Sequence, residues 1–171
     1  MANRHLSRSI VLQTLFELDI TEGDKKIAEK ILHRNTTEFA PGIGDDVFMK
    51  KLLDTIVSKK SEIDKIIEKA APDWPLDKIA TVDRNVLRLG LAELLFSDKD
   101  EVPAKVAINE AIELAKGFGG DSSGSFVNGV IGAVYKEIGE PGKDQTSGSA
   151  IKDIPYNEMP IESLGGAVVY A

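Results

Sequence analysis

Four side chains between residues 105 and 116 share one stripe of a helix. Lys105, Asn109, Ile112 and Lys116 recur at spacings of four, three and four, which keeps them on one face. A glycine-rich break, GFGG at 117–120, follows, and Phe126 comes soon after it in SFVNGV. Cations, an amide, the open start of a helix and an aromatic ring are what recognition of an unpaired nucleic acid needs. The N–H groups at a helix start attract phosphate, and a ring stacks a base for about 1–3 kcal/mol. The same residues also suit plain core packing for Phe126 and a solvated face for Lys105 and Lys116.

Enzymatic chemistry finds little support. His5 lies among arginines and His33 beside Arg34, and neither has the partners of a triad or an HExxH pattern. The GFGG run follows a helical segment and lacks the Gly-Lys-Ser/Thr ending of a phosphate-cradling loop. Glu110 and Glu113 share a helix face without a histidine nearby, a pattern that fits salt bridging better than metal ligation. With no cysteine in 171 residues, disulfides, thiolate chemistry and cysteine-held zinc are excluded. No catalytic residue, cofactor or metal is expected.

The elements that must position these groups read as helices throughout. The expected segments are Arg4 to Ile20, an Asp24-capped helix to about Thr37, a third from Asp45 or Asp46, and a fourth opened by Ser61 and Asp64 and ended by Pro72. Thr81 is the expected cap of a fifth helix, Val82 to about Phe96, which is apolar nearly all round and so belongs at the centre of the fold. Pro103 opens a sixth that ends near Lys116, and Ser122 or Ser123 caps a seventh reaching Ile138. From 139 to 171 the chain is rich in Gly, Pro and Ser with no amphipathic period, and it reads as a disordered extension after a helical domain over 1–138.

The net charge of −7 argues against a general nucleic-acid coat, but residues 1–16 carry Arg4 and Arg8 and no acid. A local basic patch suffices, because screening confines its influence to about 8 Å at physiological salt. No apolar run is long enough to span a bilayer, so a cytoplasmic location is expected.

The segments VDRNVLRLGLAELLF at 82–96, VPAKVAINEAIELAKGFG at 102–119 and SFVNGV at 125–130 strongly resemble the NusB family of transcription antitermination factors. SRSIVLQTLFELDI is similar to the family's first helix. The resemblance spans about residues 4–138. It implies an all-α, seven-helix bundle of two packed subdomains that binds boxA-type single-stranded leader RNA. The implied partners are the small-subunit ribosomal protein that acts as NusE and the RNA polymerase antitermination complex of ribosomal RNA operons. Carried over by position, the RNA contacts fall on Arg4, His5, Arg8, Lys116, Ser122, Ser123, Ser125 and Phe126. The partner contacts fall on Phe16 and Asp83. Leu6, Ser7 and Ser125 stand where the family often has basic or small residues, which implies fewer phosphate contacts and a flatter salt dependence. Two other roles remain open: a protein-interaction scaffold with weak or no RNA binding, and a subunit of an RNA methyltransferase.

Overall fold

The computed structural model describes residues 3–143, and every regular element among them is helical. Six α-helices follow in order: α1 Arg4–Thr21, α2 Lys25–Phe39, α3 Asp46–Ala70, α4 Thr81–Phe96, α5 Ala104–Gly119 and α6 Asp121–Glu137, with a 3-10 turn Leu76–Lys78 before α4. No helix among the described residues is long and apolar enough to cross a membrane. The chain divides into two compact units, one to Lys60 and one from Ser61, with α3 continuous through the boundary.

The expected seven helices are thus six, because the third and fourth are one. Nothing between Asp46 and Ala70 can stop a helix, as the segment holds neither Gly nor Pro. Thr55 and Ser58 donate their hydroxyls to the carbonyls of Lys51 and Asp54, four residues back, at 2.9 and 2.7 Å. In that role a hydroxyl accompanies a continuing helix and does not cap a new one.

In the first unit, α1 packs on α2. Asn3 caps α1 by accepting from the Leu6 amide at 3.0 Å, and Asp24 caps α2 by accepting from Ile27 at the same distance. Ile10, Val11, Leu12, Leu15, Ile31, Leu32, Met49, Leu53 and Ile56 form its buried apolar set. Buried among them, the Asn35 amide donates to Thr14 Oγ1 at 3.3 Å.

In the second unit α4, α5 and α6 pack against one another. Helix α4 is the central one, with Val86, Leu87, Leu89, Leu91, Ala92 and Leu94 all within 1% of full burial. Gly90 sits at the crossing. A Cβ there would stand 2.8 Å from both Ala111 Cβ on α5 and Ile131 Cδ1 on α6, closer than packed carbons allow. The two arginines of α4 find partners at its edges. Arg84 donates to the carbonyls of Leu76 and Ile79, both at 3.4 Å, which ties down the 3-10 turn. Arg88 makes a two-pronged pair with Asp64 on α3, at 2.8 and 3.1 Å, and also donates to Asn85 Oδ1 at 3.2 Å.

Two expected caps are displaced by one to three residues. Thr81 is the first helical residue of α4, with Ala80 in the cap position, and Gly120 (φ +87°) precedes α6, so Ser122 and Ser123 lie inside its first turn. After α6 the last described residues fold back on its end. Tyr135 donates its hydroxyl to the Pro141 carbonyl at 2.8 Å, and Glu140 N–H donates to Tyr135 at 3.0 Å. The expectation for 144–171 lies outside the described residues.

Candidate nucleic-acid interface

The candidate residues fall into two groups, one in each unit. The first is built where α1 begins and α3 begins. Helix α1 carries Arg4, His5 and Arg8 in its first two turns. Arg4 Nε donates to Asp45 Oδ2 at 3.0 Å, and Ser7 Oγ donates to the same oxygen at 2.6 Å. The Arg4 guanidinium lies 4.0 Å above the Phe48 ring, and that of Arg8 lies 5.3 Å from the same ring, both within cation–π range. The three expected cations are therefore unlike. His5 is exposed, Arg4 is half-buried with 40% of its side chain open, and Arg8 is buried at 3%. The ring of Phe48 was not foreseen as part of this group. Its signal was an aromatic just inside the start of a helix, which composition alone does not connect to α1.

The second group surrounds the α5–α6 junction. Lys116 is half-exposed and lies 4.0 Å from Glu113 one turn earlier. Its aliphatic stem lies across Gly124 in the first turn of α6, where a Cβ would meet Lys116 Cγ at 2.6 Å. Gly124 thus seats the lysine and keeps its charge beside the start of α6, an end that no side chain caps. Ser122 is exposed and Ser125 half-buried on the same turn. Three expected contacts do not reach the surface. Phe126 is 1% exposed, with its ring edge-on to Trp74 at a centroid distance of 6.3 Å, so it has no face open to a base. Ser123 is fully buried, as is Asp83. The aromatic that does stand open is Phe118, 40% exposed in the last turn of α5. Its signal in the sequence is the ring between Gly117 and Gly119 in GFGG.

Burial also changes the reading of Asp83. A carboxylate inside α4 has no surface to offer a partner protein, and neither of its oxygens accepts a hydrogen bond. Burial holds its pKa above the ordinary carboxylate value, and the nearby Ser123 hydroxyl offsets part of that rise without reaching hydrogen-bond geometry. Folding therefore favours the protonated acid. Its contribution to stability is complete below the unfolded pKa and declines as pH rises through the folded one. Asp83→Asn is expected to stabilise the protein at neutral pH by about 1–2 kcal/mol and to flatten that decline. Urea denaturation at acidic and neutral pH reads both. An unchanged pH profile would mean that Asp83 is not the group responsible. Phe16, the other expected partner contact, is half-buried on α1. Among the described residues no group of three or more potential ligands is placed to hold a metal ion.

The chain is similar to known proteins over most of its length. The family model described as the NusB family matches residues 5–136. The transcription antitermination protein NusB of Dehalococcoides mccartyi is 41% identical over 143 residues, covering 84% of this chain and 96% of the relative. Its counterpart from Chloroflexus aggregans is 41% identical over 133 residues, covering 78% and 87%. Among solved structures, NusB from T. maritima superposes with a TM-score of 0.66 at 34% identity, covering 79% of this chain and 92% of that one. A structure of antitermination factors NusB and NusE in complex with dsRNA matches with a TM-score of 0.64 at 30% identity, covering 78% and 96%.

Proposed function

We propose, since this chain belongs to the NusB family, that it is a transcription antitermination factor acting as a non-enzymatic RNA-binding adaptor. Its RNA is a boxA-type single-stranded leader element, and it works with the small-subunit ribosomal protein that serves as NusE. Together they support read-through by RNA polymerase in ribosomal RNA operons, in the cytoplasm. The observation that carries this reading is the seating of Lys116 across Gly124, which fixes a cation at the uncapped start of α6. A phosphate there meets both the ammonium and the helix N–H groups. The structure of a NusB with NusE and dsRNA, matched at 30% identity, supports the same pairing of partners.

Within this reading the exposed groups do the contacting. His5, Arg4, Lys116, Ser122 and Ser125 hold phosphate and sugar, and Phe118 takes the stacking role that Phe126 cannot fill. Arg8, Ser123 and Phe126 act from beneath by holding the exposed groups in place. Phe16 on α1 faces the ribosomal-protein partner.

Fluorescence anisotropy with labelled boxA-type RNA, with and without the ribosomal protein and across salt concentrations, tests this. Wild-type protein is expected to bind with a salt slope that becomes shallower by about 0.7 in Lys116→Gln. Phe118→Ala is expected to lose about fivefold or more in affinity. RNA binding that is absent in every mixture, with the ribosomal protein still bound, would replace this reading with the scaffold one. The burial of Arg8 and Phe126 gives that second reading its specific support.

A further inference from the structure

We propose that Asp45 competes with RNA phosphate for Arg4 and so holds RNA affinity below what the N-terminal cations alone would give. The inference rests on the reading of Arg4 as a phosphate contact. Asp45 directly precedes α3, and its carbonyl accepts the first helical bond there, from Met49 N–H at 3.1 Å. Only 7% of the residue is exposed. One carboxylate oxygen, Oδ2, accepts both Arg4 Nε at 3.0 Å and Ser7 Oγ at 2.6 Å. The guanidinium also lies 4.0 Å over the Phe48 ring. An internal carboxylate thus occupies part of the donor edge of Arg4 that an incoming phosphate would use.

The energetics set the direction of the effect. A phosphate that draws Arg4 away leaves a nearly buried carboxylate with its charge less compensated, so each such contact carries a penalty. A phosphate that shares Arg4 must instead approach within Coulomb range of the Asp45 charge, which repels it. Either route weakens the contact made by the same arginine. Arg4 keeps 40% of its side chain open, so the contest takes place where solvent and RNA can reach it.

Asp45→Asn separates the charge from the other duties of this residue. An amide oxygen still accepts from Ser7, and Asn caps a helix about as well as Asp. In anisotropy titrations at low salt, Asp45→Asn is expected to bind boxA-type RNA about two- to fivefold more tightly than wild type. Its salt slope should steepen by up to about 0.7. Arg4→Gln should cost more affinity in the Asp45→Asn background than in wild type, because there no carboxylate at position 45 competes with phosphate for the arginine. Heparin binding by the same four proteins is the second arm, and it reads the competition for Arg4 even if wild type fails to bind RNA. RNA failure with the heparin differences intact would overturn the RNA reading and keep the competition. Equal or weaker polyanion binding by Asp45→Asn, with a native thermal melt, would overturn the competition itself. Should Asp45→Asn melt early, Asp45→Ser retains a capping oxygen without charge and is expected to give the same ordering.

Discussion

Phe126→Ala is expected to lower stability by about 3–5 kcal/mol, as do other truncations of a fully buried aromatic ring. The ring is 1% exposed in the first turns of α6 and meets Trp74 in a T-shaped contact, the geometry that aromatic pairs prefer. Its removal leaves a cavity beneath the turn that seats Lys116, so the loss falls first on folding and only through folding on RNA. Urea denaturation and RNA titration of the same variant separate these. RNA affinity per folded molecule should fall far less than stability does. A variant with the wild-type urea midpoint and weakened RNA binding would return the ring to the RNA surface. Phe126→Leu, which keeps most of the apolar volume, should recover much of the lost stability.

Asp64→Ala is the second large effect, again about 3–5 kcal/mol of destabilisation. Arg88 has 6% of its side chain exposed, and Asp64 supplies both oxygens of its paired contact from α3 to α4. Truncating the acid leaves a guanidinium in the interior without the carboxylate that faces it, although Asn85 Oδ1 still accepts from it. The expected asymmetry is diagnostic. Arg88→Met combined with Asp64→Leu removes both charges and should cost much less than Asp64→Ala alone. A double-mutant cycle in urea measures this, and equal losses for the single and double variants would mean that the pair is not coupled. The pair also bears on the helix count, since Asp64, expected to help open a fourth helix, spends its oxygens on Arg88 instead.

Much of the architecture was legible. Apolar periodicity marked every helix, Asp24 was identified as a cap, and the all-round apolar pattern of 82–96 placed α4 at the centre. The boundary errors have local causes. Ser and Asp at 61 and 64 look the same whether they open a helix or lie inside one, and only the hydroxyl geometry at Thr55 and Ser58 and the engagement of Asp64 by Arg88 distinguish the two. The Ser122–Ser123 cap failed for a related reason. Gly120 takes the positive-φ turn, and the helix begins one residue after it.

For the recognition groups the division is sharper. Residue types and spacing alone determined that the chain is helical, that its cations and rings cluster at the start of α1 and at the α5–α6 junction, and which family those motifs resemble. Only the tertiary structure decided which of those groups meet solvent. It buried Phe126, Ser123, Asp83 and most of Arg8, left Phe118 open, and set Asp45 against Arg4. The reason is physical: helical periodicity says which side chains share a face, whereas the cover over that face comes from segments distant in the chain. Trp74 over Phe126 and Asp45 against Arg4 are both such long-range matches.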